Sequence, residues 1–304
     1  PALEATLPAP ADLAGLEPLR RIEKRWPLIL GGLLSIATLA MVVYELLHSG
    51  LRGLSQIVPA TPWFYVAFFF FYMIPPTFDY FIFRRLWHIP LSGMVALHKK
   101  RIANEVLIGY SGEAYFYAWA RQRTQMVAAP FGAVKDVTIL SAMAGHAVTL
   151  TGLAIALGFG IDLLTPQYQR TLLVSVGVII AMTLPFLIFS RRVFSLPRAQ
   201  LWWIFGMHCL RIVLGSVSLA FAWYFALPDV PVMMWLFLVA GRLLVSRLPL
   251  VPNKELLFAS FAIMLIGQGE TVTQLLAFTA ALTLLVHAVL IGCFSIYPLV
   301  RRNG

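Results

Sequence analysis

Residues 201–227 read LWWIFGMHCLRIVLGSVSLAFAWYFAL, and this stretch decides the fold class. Arg211 is the one charged residue in it. As a helix rising about 1.5 Å per residue, the stretch would be about 40 Å long. The hydrocarbon core of a bilayer is about 30 Å thick, so such a helix is long enough to cross it. We therefore predict a transmembrane helix that carries an arginine at membrane depth.

The composition extends this prediction to the whole chain. Of the 304 residues, 60% are hydrophobic and 12% are charged, and the mean hydropathy is +0.83. Soluble domains carry about 25% charged and about 45–50% apolar residues. This excludes a soluble globular protein, a disordered chain and a disulfide scaffold. We predict an all-α polytopic integral membrane protein.

Apolar runs divide the chain into about eight predicted transmembrane helices. Residues 1–19 are predicted to be a flexible tail, and residues 20–304 a single transmembrane domain. The predicted full spans are residues 27–47, 63–83, 127–159, 172–190, 201–227, 232–247 and 271–299. The remaining helix is a short crossing within residues 248–268.

The net charge of +10, from 23 basic and 13 acidic residues, is concentrated at the span ends. Examples are Arg84 with Arg85 and Arg301 with Arg302, and residues 98–101 (HKKR) extend the same basic face. Basic residues flanking spans mark the cytoplasmic side and contact anionic lipid. We predict a bacterial inner-membrane protein with both termini in the cytoplasm. No nucleic-acid partner is needed to explain the charge.

Two segments do not fit the span template, namely residues 102–123 and 248–268. The first carries several polar residues and two glycines, and the apolar part of the second would span only about 18 Å as a helix. In each, a residue suited to an N-cap precedes a glutamate, as in Ser111-Gly112-Glu113 and Asn253-Lys254-Glu255. Broken apolar segments of this kind point to transporter substrate sites, and helix N-termini favour anions. We predict that one or both are re-entrant half-helices; interfacial loops with ordinary caps are the alternative.

Charged residues inside spans are costly, at about 2.5–3.5 kcal/mol each on insertion scales. Arg211 is the strongest candidate ligand, and His208 shares its helix face at i−3. Arg242 lies near the middle of its predicted span, whereas Arg247 also fits a simple cytoplasmic anchor. Arginine suits bidentate recognition of phosphate. The sequence therefore predicts a basic intramembrane cavity.

Lys135 and Asp136 lie inside the third predicted span. As neighbours on a helix they point about 100° apart, so we expect them not to satisfy each other. We expect Lys135 to reach the membrane surface and Asp136 to need a basic partner from another helix. A structural pair between Asp136 and Arg211 is the alternative to a ligand-binding Arg211.

The predicted site residues fall into two groups. The substrate-binding group is Gly112, His208, Arg211, Arg242, Arg247, Asn253 and Lys254. The gating and counter-charge group is Glu113, Lys135, Asp136 and Glu255. No cofactor or metal is predicted, because Cys209 and Cys293 lie in apolar runs and the six histidines have no metal-ligand spacing. We interpret His146 and His287 as hydrogen-bonded packing residues.

Residues 104–115, NEVLIGYSGEAY, followed by Arg121-Gln122-Arg123, resemble the Gly-Glu region of the lysylphosphatidylglycerol synthase transmembrane-region family. Residues 248–255, LPLVPNKE, resemble that family's Pro-x-x-Pro-Gly-Gly loop, with Asn253 and Lys254 where glycines are expected. The resemblance covers roughly residues 25–300. It implies a flippase-type bacterial membrane domain of about eight helices, without the soluble synthase domain.

Three functions remain open from the sequence. The first is a transporter or flippase that moves an anionic or amphipathic lipid, or a lipid-linked intermediate, through the basic cavity. The second is an intramembrane lipid-modifying transferase, with His208, His287, Glu113 and Asp136 as acid–base groups. The third is a non-catalytic subunit of an envelope-assembly complex. Membrane lipids are the expected partners, with a homo-oligomer or an envelope-biogenesis protein as further ones. We expect translocation rather than chemistry.

Overall fold

The computed structural model describes residues 58–107, 110–123, 131–160, 194–247 and 269–300, and isolated positions within 33–44, 174–181 and 258–266. These main ranges contain seven helices and no strand. They are α1 (Pro62–Trp87), α2 (Gly93–Val106), α3 (Ser111–Arg123), α4 (Phe131–Gly160), α5 (Arg198–Ala226), α6 (Val232–Arg247) and α7 (Gly269–Val300). The predicted all-helical class is confirmed.

Among the described residues, four helices are long and apolar enough to cross a membrane, and they lie within α1, α4, α5 and α7. Their candidate spans are Pro62–Trp87, Gly132–Ile155, Arg198–Ala226 and Glu270–Phe294. The α6 helix is apolar but shorter, at 16 residues. The predicted tail at 1–19 lies outside the described residues, and so do most of 27–47, 172–190 and 248–268.

Helix α1 begins with a proline and contains two more. Pro62 occupies the first helical position, where the missing amide hydrogen costs nothing. Pro75 and Pro76 lie inside the helix and leave the carbonyls of Phe71 and Tyr72 without their usual helical donors. The helix ends at His88, whose left-handed φ of 51° turns the chain.

Ring contacts fix the direction of the long helices. Trp63 faces Phe225, whereas Arg85 stacks on Trp203, so α1 and α5 are antiparallel. Phe64 contacts Phe278 and Tyr72 contacts His287, so α1 and α7 are parallel. We call the end of the bundle with Arg84, Arg85 and Arg198 the arginine end. The short turn after α5, which contains Asp229, lies at the opposite end.

Helices α2 and α3 form a hairpin that starts and finishes at the arginine end. Arg101 of α2 reaches back to Tyr72 in the first half of α1, while Phe116 of α3 contacts Phe83 near the end of α1. The two helices have 14 and 13 residues, so each is about 20 Å long. Each is therefore shorter than the hydrocarbon core of a bilayer.

Two apolar clusters hold the bundle together. One joins the first half of α1 to the second half of α5, α6 and α7, and contains the fully buried Phe64, Trp223 and Trp235. The other joins the second half of α1 to the hairpin and the starts of α4 and α5, with Phe83 and Phe116 at its centre. The polar site lies where the two clusters meet.

Candidate functional site: a charged cavity inside the helical bundle

A cavity of 460 Å³ lies among helices α1 to α6. Its volume falls in the usual range of small-molecule sites, about 300–1,000 Å³. Seven charged side chains of the described residues line it, namely Asp79, Lys100, Arg101, Glu105, Glu113, Arg211 and Arg242. Apolar residues from both clusters complete the wall, including Val137, Leu219 and Val239. Charge of this density inside an apolar bundle indicates a functional site.

Asp79 is the centre of the first charge network. Lys100 of α2 donates to its Oδ2 at 2.8 Å, and Arg211 of α5 donates to its Oδ1 at 3.1 Å. Lys100 also lies 3.6 Å from Glu113 Oε1, and Arg211 donates to Ser141 Oγ at 2.8 Å. The network therefore connects α1, α2, α3, α4 and α5 through side chains that are largely buried.

The ionisation of Lys100 depends on these carboxylates. Burial favours the neutral amine, but the negative charges of Asp79 and Glu113 outweigh that effect and raise the pKa of Lys100 above its usual value. Lys100 is therefore a cation at neutral pH, and its charge is already compensated by protein groups.

A second network links four residues of α1, α2 and α7 in a ring. The Tyr72 hydroxyl lies 2.7 Å from His287 Nδ1, and His287 Nε2 lies 2.9 Å from Glu105 Oε2. Arg101 Nε donates to Glu105 Oε1 at 2.6 Å, and the same guanidinium donates to the Tyr72 carbonyl. That carbonyl is the one that Pro76 leaves without a helical donor, so Arg101 replaces the missing bond.

Glu105 is held ionised by this ring. Burial opposes the charge of its carboxylate, although 42% of its side chain is exposed and it lines the cavity. Arg101 and His287 outweigh burial and lower the pKa of Glu105 to about 2. Like Lys100, Glu105 therefore carries a charge that neighbouring residues compensate.

Three groups in the cavity are not satisfied in this way. Within the described part of the chain, Arg242 has no carboxylate at ion-pair distance. Both ring nitrogens of His208 and Oε2 of Glu113 are buried without a hydrogen-bond partner. Among the lining residues that the structure describes, four cations face three carboxylates, an excess of one positive charge. The arrangement is suited to bind an anion, because a buried unpaired charge is unfavourable until a ligand neutralises it.

Four of the residues predicted from the sequence lie together in this cavity: His208, Arg211, Arg242 and Glu113. Arg211 pairs with Asp79, so the expected alternative pair with Asp136 is wrong. His287 is hydrogen-bonded, as expected. Residues 98–101 do not form a surface continuation of the basic face, because Lys100 and Arg101 turn inward and line the cavity.

Lys135 and Asp136 do not line the cavity. Contrary to the sequence expectation, they lie at ion-pair distance, with 3.3 Å between Lys135 Nζ and Asp136 Oδ1. Asp136 Oδ2 accepts the backbone amides of Ser195 and Leu196, at 2.6 and 2.8 Å. The partner of this carboxylate on another segment is thus the backbone before α5 rather than a basic side chain. The role of Asp136 is therefore structural, because its carboxylate joins α4 to the segment that precedes α5.

Gly112 also has a structural position. A Cβ atom there would lie 2.0 Å from the Lys100 carbonyl oxygen, so only glycine permits α3 to cross α2 this closely. Its amide donates to Asn104 Oδ1 at 2.7 Å. Ser111 does not cap α3 in the expected way, because its hydroxyl donates to the Ala103 carbonyl near the end of α2. Gly112 therefore shapes the hairpin and does not line the cavity.

The other predicted site residues fall outside the description. Asn253, Lys254 and Glu255 lie outside the described residues, as does the side chain of Arg247. In the described ranges, no group of three or more histidine, cysteine, aspartate or glutamate side chains is arranged to hold a metal ion.

Sequence reasoning missed Asp79, the residue that organises the first network. A carboxylate with 17 residues of apolar helix before it was a usable signal, because such a charge needs a buried partner. It also missed that Lys100, Arg101 and Glu105 face inward. Basic residues next to a span end are ordinarily anchors, so only the fold of the hairpin distinguishes the two cases.

Comparison of the chain with protein-family models, with curated proteins and with solved structures found no match.

Proposed function

We propose that this protein is a lipid transporter of the flippase type, which moves an anionic or amphipathic lipid across the bacterial inner membrane. The observation that carries the proposal is Arg242, a cation in a cavity whose other charges are compensated by protein groups. A lipid phosphate would neutralise it, and the apolar residues on the same wall would accept the adjoining chain.

The hairpin supports a transport cycle. Helices α2 and α3 are too short to cross a bilayer, and they start and finish at the same end of the bundle. We propose that they form a re-entrant element. Charged side chains of the hairpin contact α1 and α7, so a shift of the hairpin would open or close the cavity.

Leaflet exchange tests the proposal. The purified protein would be reconstituted in liposomes with fluorescent phosphatidylglycerol or phosphatidylcholine, and dithionite quenching would report exchange. We expect faster exchange of the anionic lipid, and we expect Arg242→Gln to slow it about tenfold or more. This is the size of effect that follows from losing a hydrogen bond to a charged group, about 1.5–3 kcal/mol.

The matched control is Arg198→Gln. Arg198 is an exposed arginine at the start of α5 and does not line the cavity. We expect its exchange rate to equal that of the wild type. Equal rates in both variants, or no exchange of any lipid, would contradict the proposal.

An intramembrane transferase is the second candidate. The unpartnered nitrogens of His208 and Oε2 of Glu113 favour it, because both groups are able to exchange protons with a substrate in the cavity. A modified lipid formed in detergent, where no second leaflet exists, would support this candidate over transport.

A further inference from the structure

One face of α5 forms a wall of the cavity. His208, Arg211, Gly215 and Leu219 follow each other at helical spacing and all line it. Ser216 lies beside them, and Thr138 and Ser141 face the same space from α4. The wall therefore combines an imidazole with three hydroxyl groups, next to a guanidinium that Asp79 already neutralises.

His208 is the unusual member of this wall. The residue is 1% exposed, and neither ring nitrogen has a hydrogen-bond partner. The Val137 carbonyl lies near the ring but outside hydrogen-bonding geometry. Buried polar groups are almost always hydrogen-bonded, so a buried imidazole without partners points to a missing ligand.

The same wall leaves open space two helical turns from His208. A Cβ atom added to Gly215, on the same wall, would meet nothing within 4 Å. A neutral imidazole has one donor and one acceptor, which matches a ligand hydroxyl, itself both donor and acceptor. The hydroxyls of Thr138, Ser141 and Ser216 have the same dual character.

We infer that the cavity binds a phosphodiester monoanion that carries free hydroxyl groups. Its phosphate binds Arg242, and its hydroxyls form hydrogen bonds with the wall that contains His208. The inference rests on the proposed function and names the ligand class of the same cavity. A single negative charge matches the excess of one positive charge among the described lining residues. The ligand is either a lipid head group or a free phosphodiester, because both present the same chemistry to the wall.

Binding to the full chain in detergent tests the inference with charge-matched probes. Phosphatidylinositol and phosphatidylmethanol each carry one negative charge, but only the first has free hydroxyls. Glycerophosphoinositol carries the phosphatidylinositol head group without acyl chains, so its binding distinguishes a free phosphodiester from a lipid. We expect phosphatidylinositol to bind about tenfold more tightly than phosphatidylmethanol, a difference of about 1.4 kcal/mol.

Variants then assign the preference to the wall. We expect His208→Phe to bring the two lipids within about threefold of each other, and His208→Gln, which keeps a donor and an acceptor, to retain most of the preference. Arg242→Gln should weaken the binding of both lipids by the same factor. Thr149→Val is the matched control, because Thr149 has a buried, unpartnered hydroxyl on α4 and does not line the cavity. If His208→Phe does not fold, Ser216→Ala is measured in its place, with the same expected loss of preference.

Equal affinity of the wild type for the two lipids would overturn the inference. So would a preference that persists unchanged in His208→Phe, or in Ser216→Ala where that variant replaces it. Leaflet exchange of both lipids at one rate would overturn the inference and leave the proposed transport in place. Tighter binding of the lipid with free hydroxyls, without any leaflet exchange, would support the inference and contradict the proposed transport.

Discussion

Asp79 holds two cations from two different helices. Its carboxylate accepts from Lys100 and Arg211 on separate oxygens, and its side chain is 9% exposed. Removing one member of a buried charge cluster leaves the others unpaired in a medium of low dielectric constant. The stability of the cavity therefore depends on this one residue more than on any single apolar contact around it.

We expect Asp79→Asn to lower the free energy of unfolding by about 3 kcal/mol, because Lys100 and Arg211 would remain charged and buried. Unfolding in detergent micelles measures the change. Asp229→Asn is the control, since this carboxylate is exposed in the turn after α5 and its loss should matter by less than about 0.5 kcal/mol. Similar stabilities for the two variants would show that the Asp79 network contributes nothing.

The hairpin is the element on which the cavity depends. Three of the seven charged lining residues, Lys100, Arg101 and Glu105, come from α2, and Glu113 comes from α3. Their position requires the two helices to cross where Gly112 lies against the Lys100 carbonyl. The crossing is further held by the bond from the Gly112 amide to Asn104.

We expect Gly112→Ala to lower the free energy of unfolding by about 1–3 kcal/mol, because its Cβ would meet a backbone atom that cannot rotate away. Gly206→Ala, in α5, is the matched change, since a Cβ there meets nothing within 4 Å. It should be neutral or stabilise the helix by up to about 1 kcal/mol. Thermal unfolding of both variants decides the matter, and equal losses would contradict the close crossing.

The whole molecule has two chemically different ends. The arginine end collects Arg84, Arg85 and Arg198, whereas the turn at the opposite end carries Asp229. In bacterial membranes the basic side of a polytopic protein faces the cytoplasm. We propose that the arginine end, where the hairpin starts and finishes, faces the cytoplasm.

We expect Leu91→Cys to react with a membrane-impermeant maleimide only after the cells are opened, and Val58→Cys to react in intact cells. Both positions are exposed, at 73% and 63%, and they flank α1 on opposite ends. The background must lack Cys209 and Cys293, the free cysteines of the described chain. Labelling of both positions from the same side would exclude α1 as a spanning helix in this orientation.

Several features followed from the sequence because they depend on local patterns. Apolar length predicted the helical membrane class and the approximate places of α1, α4, α5 and α7. Charges within apolar runs predicted His208, Arg211 and Arg242 as cavity residues, and Glu113 was expected as a counter-charge. These signals need no tertiary information, since the cost of burying a charge is visible from the neighbouring residues.

Only the tertiary structure decided which charges meet. The bond from Arg211 to Asp79 joins residues 132 apart in the chain, and that between His287 and Glu105 joins residues 182 apart. Nothing local distinguishes an inward Lys100 from a surface lysine, or an Asp136 that accepts backbone amides from a gating one. Hydropathy indicates the free-energy cost of placing a residue in the membrane. The crossing of the helices determines which partner offsets that cost.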